Sequence, residues 1–114
     1  MIKGDIVWAK DREMNPHPIV FIERIDDYRF KACILSTKPT NGNLLMRPSH
    51  FRNDTQYSFE FRNTYLVITC TFIKMSNWIE RSNVAGRLTD EGIEFVDRNI
   101  PNQQVSHNAP IWEM

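Results

Sequence analysis

"PIVFIERIDDYRFKACILST", residues 18–37, sets two runs rich in β-branched and aromatic residues on either side of Asp26-Asp27. Each run has strand length and paired aspartates favour a tight turn, so the stretch predicts a hairpin with strands at 18–25 and 28–37. Just before it, "DREMNPHP" (11–18) is polar and carries two prolines, which makes it a loop. Because proline stands only at the first residue or the edge of a strand, the second strand is expected to begin at His17-Pro18.

Outward from the hairpin the chain keeps the same character. "GDIVWAK" (4–10) predicts a first strand with Ile6 and Trp8 on one face, Val7 and Ala9 on the other, and Gly4-Asp5 as the opening turn. "KPTNGN" (38–43) is a connection in which Asn41-Gly42 tolerates positive φ, and "LLMRP" (44–48) follows as a short strand. "TQYSFEFRN" (55–63) alternates Tyr57, Phe59 and Phe61 with polar partners, the pattern of a half-buried strand. "YLVITCTFIK" (65–74) is apolar throughout, as a strand covered on both faces would be. Only "LTDEGIEFVDRNI" (88–100) reads as helix. Thr89 is its N-cap, Asp90 and Glu91 favour the positive end of the dipole, Leu88 and Ile93 form a staple, and Pro101 forbids continuation. Ile93, Val96 and Ile100 then share the face that packs on the strands. The expected fold is mainly β: a small barrel of five to six strands with one C-terminal helix, a single domain over 1–100, and a polar tail at 101–114.

At 114 residues, 41% apolar and 11% aromatic, the chain suits one core rather than two and is too apolar to be disordered. Fourteen Lys plus Arg balance fourteen Asp plus Glu, so any nucleic-acid site has to be a local patch. Cys33 and Cys70 sit in apolar runs without a second ligand at metal-binding spacing, and both read as buried thiols. The start has no signal-peptide pattern and no apolar run reaches the roughly 20 residues that span a bilayer. A cytoplasmic, membrane-free protein is expected, with no cofactor and no metal.

No Gly-rich phosphate loop, HExxH, GxSxG or zinc-knuckle spacing occurs. A dispersed site remains open. Metal-free ribonucleolysis needs only a base for the 2′-hydroxyl, an acid for the leaving oxygen and a group that holds the phosphate.

"KGDIVWA", "HPIVFI", the third strand ending in "ILST", and "YLVITCTFIK" followed by "GRLTDEGIEFVDRNI" resemble the order of the MazF/PemK toxin family over about residues 2–100. The resemblance implies an SH3-like barrel with a C-terminal helix, usually a homodimer, that cuts single-stranded RNA without metal. It also implies an antitoxin, a small partner whose disordered segment covers the RNA groove. By position, Gly4, Asp5 and Trp8 match the family's opening, Pro18 matches the proline of its Arg-Pro pair, and Thr37, beside Ser36, matches the hydroxyl residue ending the third strand. His17 stands where the family has the arginine that acts on the phosphate and leaving group. Histidine can deliver a proton near neutral pH but lacks the forked, permanent charge of guanidinium. The apolar run at 65–74 contains no carboxylate, and the nearest in sequence is Glu60.

Each candidate carries a plainer reading beside the functional one. His17 either closes a Pro-flanked turn, the reading preferred here, or acts as proton donor or phosphate contact. Thr37 and Ser36 either begin the turn "STKPT" or hold phosphate oxygens. Lys10, Arg12, Lys38 and Arg47 surround one mouth of such a barrel, where they are either solvated charges or RNA contacts. His50 reads as a surface residue, and Trp78 as core. Trp112 is the one aromatic that could hold the tail. The function expected is that of a MazF/PemK-like toxin binding, and by extension cleaving, single-stranded RNA. The alternative is a catalytically silent barrel that binds a protein or peptide at the same mouth.

Overall fold

The computed structural model describes residues 2–10, 16–53, 57–75 and 84–100. Arg12, Trp78, Trp112 and the tail at 101–114 lie outside these residues, as do the side chains of Lys10 and Cys70. Among the described residues the strands are β1 (Asp5–Lys10), β2 (Pro16–Arg24), β3 (Arg29–Ser36), β4 (Leu44–Leu45), β5 (Tyr65–Met75) and β6 (Gly86–Arg87), with one α-helix, α1 (Asp90–Asn99). All six strands form one antiparallel sheet in the order β4-β5-β3-β2-β1-β6, curled into a half-barrel. The mainly β fold with a C-terminal helix is therefore the one the sequence predicts.

The β2–β3 hairpin turns where expected, and its tip shows why. Asp26 Oδ1 accepts from the backbone N–H groups of Tyr28 and Arg29, both at 2.8 Å, while Oδ2 accepts from Arg29 Nε at 3.0 Å and its terminal nitrogen at 2.9 Å. The Arg29 side chain, first, and the Tyr28 N–H hold the Asp26 carboxyl below its usual pKa. Along β2 and β3 alternate residues divide between two cores. Val20, Ile22, Cys33 and Leu35 join Ile6, Met46, Phe51, Leu66, Leu88, Val96 and Ile100 inside the curl. Ile19, Phe21, Phe30, Ala32 and Ile34 join Val7 on the opposite face, where Phe21 stacks on Phe30 at 5.5 Å. Cys33 is buried, as expected. Leu66 and Val67, at the start of β5, enter different cores, as in a strand covered on both faces.

Two ends of the sheet are joined by one stretch of chain. Residues 46–52 cross from β4 to β6: Met46 N–H donates to Thr64 O, Phe51 forms a bridge to Leu88, and Arg52 N–H donates to Arg87 O. His50 belongs to this crossing and is 5% exposed, which corrects its reading as a surface residue. Its Nδ1 accepts from Arg47 N–H at 3.0 Å, its ring lies 4.6 Å from that of Phe95, and its carbonyl accepts from Thr89 N–H. The compact "RPSH" turn folds the imidazole back under α1, a tertiary effect that no local pattern announces.

Thr89 caps α1 as predicted, Oγ1 accepting from Gly92 N–H at 3.2 Å and donating to Ser49 O at 2.7 Å. Gly92 is required by close approach, since a Cβ there would run into the His50 carbonyl. At the other side of the joint Gly4 takes φ +94°, and Asp5, 1% exposed, accepts from Ile2 N–H at 2.8 Å and pairs with Arg87 Nε at 2.6 Å. This explains the "GD" opening as the weld between β1 and β6.

The expected strand at 55–63 does not form within the described residues 57–63. Phe59 and Phe61 do turn inwards, 5.4 and 5.2 Å from the Phe51 ring, so the alternation is genuine. Their backbone, however, runs beside no strand. Phe59 N–H to Ala85 O is its link to the β6 side, and Asn63 ends the segment with φ 38°. Packing alone satisfies a period of two, and a ladder needs a neighbour as well.

Candidate functional site

β2 and β3 part company at one end, and a cleft fills the gap. Their last pair is Ile19↔Ile34, beyond which residues 16–18 pair only with β1. Pro16 and Pro18 lack N–H groups, and residues two apart in a strand aim those groups to the same side, so no ladder can continue there. Leu35–Lys38 consequently peel away. A cleft of about 490 Å³ opens between His17-Pro18 on β2, Ser36-Thr37-Lys38 after β3, and the irregular segment carrying Ser58, Glu60 and Arg62.

Four residues named from the sequence therefore meet: His17, Ser36, Thr37 and Lys38 all line the cleft. His17 is half-buried and lies within β2, opposite Ala9. Ser36 Oγ accepts from Lys38 N–H at 3.1 Å, and the Asn43 side-chain amide donates to Lys38 O at 3.0 Å. The Lys38 backbone is thus clamped from both sides, while Thr37 and the Lys38 side chain remain exposed. Ser36 Oγ thus serves the turn as an acceptor, and a hydroxyl that accepts can still donate its proton. Arg47 is exposed but does not line this cleft, because its backbone is committed to the His50 turn.

Opposite stand residues that the sequence did not single out as ligands. Glu60 and Arg62 form an ion pair at 2.9 Å with side chains 70% and 81% exposed. Trp8 forms one wall, 41% exposed, with Nε1 3.4 Å from Ser58 Oγ and its ring 6.1 Å from that of Phe59. The alternation at 57–63 carried the missed signal: with Phe59 and Phe61 turned inwards, the intervening polar residues have to face out, onto the rim. The arrangement sets an imidazole, a carboxylate, four hydroxyls (Ser36, Thr37, Ser58 and Thr64), an ammonium and a guanidinium around one concave surface with an exposed indole. Such a set can hold a phosphate, stack a base and move a proton.

Among the described residues no three His, Cys, Asp or Glu side chains are grouped to hold a metal ion, and no helix is long and apolar enough to cross a membrane. No protein-family model, curated protein or solved structure matches the chain.

Proposed function

We propose that this barrel binds single-stranded RNA in the Trp8–His17–Lys38 cleft and cleaves it without a metal ion, as the resemblance to MazF/PemK toxins implies. The observation that carries the reading is convergence. His17, Ser36, Thr37 and Lys38, separated by some twenty residues of sequence, line one cleft together with Glu60 and Arg62.

In this reading Lys38 and Arg62 hold the phosphate, and Thr37 and Ser36 donate to its non-bridging oxygens. Glu60 takes the proton of the 2′-hydroxyl as that oxygen attacks phosphorus. The bond to the 5′-oxygen breaks, and His17 gives that oxygen a proton. The products are a 2′,3′-cyclic phosphate and a 5′-hydroxyl end, so protons and electrons balance within the RNA and the two side chains. Homodimerisation, a cytoplasmic site of action and control by a small antitoxin belong to the same proposal. The other reading, a silent barrel that binds a protein or peptide here, draws on the replacement of the family's arginine by His17.

Incubation of the purified protein with a long single-stranded RNA in EDTA, followed by mapping of product ends, tests the proposal. Cyclic phosphate ends support it. Intact RNA rejects the nuclease and puts the silent barrel in its place.

A further inference from the structure

Behind the 57–62 segment lies a second cleft, of about 690 Å³, with Tyr57, Phe59, Glu60, Arg52, Asn53 and Arg87 around it. It has Phe59 and Glu60 in common with the first cleft, so the two are divided only by that ridge. Its floor is aromatic and fixed: Phe51, 7% exposed, packs against Phe59 at 5.4 Å. Tyr57 is half-buried in the wall, while Arg52 and Asn53 are exposed at the rim.

Charge gives the surface a direction. The whole chain is electrically balanced. Among the described residues lining the two clefts, however, Lys38, Arg62 and Arg52 stand with one carboxylate, Glu60, which pairs with Arg62 at 2.9 Å, while Arg87 is held by Asp5 at 2.6 Å. An aromatic wall beside an exposed guanidinium is what a nucleotide requires, the ring for its base and the cation for its phosphate.

We propose that the second cleft holds the nucleotide adjacent to the one at His17, with its base on Tyr57 and its phosphate at Arg52. The site rests on the RNA reading of the first cleft and extends it: the strand crosses the Phe59-Glu60 ridge, and two neighbouring nucleotides are gripped on opposite sides of it. Asn53, with an exposed amide, is placed to meet a base edge there.

The test uses 2′-O-methyl oligouridylates, which bind without being cut, followed by fluorescence anisotropy on the whole chain. A hexanucleotide should bind wild type more tightly than a dinucleotide does. Tyr57→Ala should weaken the hexanucleotide by about 5-fold or more, the loss typical of one stacked base, and weaken the dinucleotide, which already spans the ridge, by a similar factor. Tyr57→Phe should bind like wild type. Arg52→Ala, a change at an exposed residue that leaves the core intact, should lower the slope of log affinity against log salt by about 0.7. Unchanged hexanucleotide binding in both Tyr57→Ala and Arg52→Ala, with a loss in Lys38→Ala, overturns the second site and leaves the first standing. Displacement of the hexanucleotide by polyglutamate as readily as by unlabelled oligouridylate also overturns it, since polyglutamate has charge without bases. Failure of wild type to bind RNA of any length removes both clefts as RNA sites.

Discussion

Asp5 and Arg87 meet at 2.6 Å with the carboxylate 1% exposed, whereas Glu60 and Arg62 meet at 2.9 Å with side chains 70% and 81% exposed. The chemistry of the two pairs is the same and their surroundings differ. At the β1–β6 weld the carboxylate has lost its water and depends on Arg87 and Ile2 N–H for compensation, so neither partner can leave without exposing a buried charge or an orphaned donor. At the cleft both partners keep most of their hydration, and exchanging one for a phosphate oxygen costs little. Burial thus separates a joint from a site, within one small barrel.

The sharpest break of this comparison is His17→Ala. On the cleft side it should lower RNA cleavage by roughly 10²- to 10⁴-fold, the usual contribution of a positioned acid or base, while stability changes by no more than about 0.5 kcal/mol. His17→Arg should retain or raise cleavage. Undiminished cleavage by a well-folded His17→Ala protein would move the chemistry away from this cleft. Asp5→Ala reverses the pattern: unfolding free energy from a denaturant titration should fall by about 3 kcal/mol, with cleavage per folded molecule intact. A change as small as that of a surface pair would show that the weld tolerates water.

His50 sharpens the contrast through pH. Burial, the main cause, pushes its pKa below the usual histidine range, helped by Arg47 and Arg98 and opposed by Glu91. The unfolded chain therefore takes up this proton before the folded one as pH falls. Stability from this group is fully present above about pH 6.5 and is lost as pH drops towards the depressed folded value. Denaturation midpoints measured at about pH 7.5 and 5.5 should decrease, and the decrease should shrink in His50→Asn. An equal decrease in that variant assigns the effect to other groups. The smallest effect belongs to Arg62→Ala, which should alter stability by less than about 0.5 kcal/mol. A larger loss would make the cleft pair a second joint.

Legibility followed the range of the forces involved. Asp26, Thr89 and the α1 staple act within a few residues, and each is where the sequence puts it. Local pattern located β2, β3 and β5, and in β2 and β3 alternate residues enter separate cores. It failed at 57–63, where Phe59 and Phe61 obey the pattern without a partner strand, and at His50, whose burial depends on α1 docking forty residues later. Half of the candidate site was legible for the same reason. His17 and Ser36–Lys38 flank elements whose ends proline and turn residues mark, whereas Glu60 and Arg62 reach the cleft through packing of Phe59 and Phe61 on Phe51.

The crossing at 46–52 and its seat on residues 85–89 also set an order in time. Every described residue lining the first cleft falls from Trp8 to Thr64, so a ribosome completes the cleft's side chains well before Ala85 is made. Yet the Phe59 N–H that anchors the Glu60 ridge donates to Ala85 O, and Gly86 lies against the Phe59 side chain. A nascent chain therefore holds these side chains without the ridge's anchor, and the cleft takes its shape only once residues 85–86 have emerged and docked.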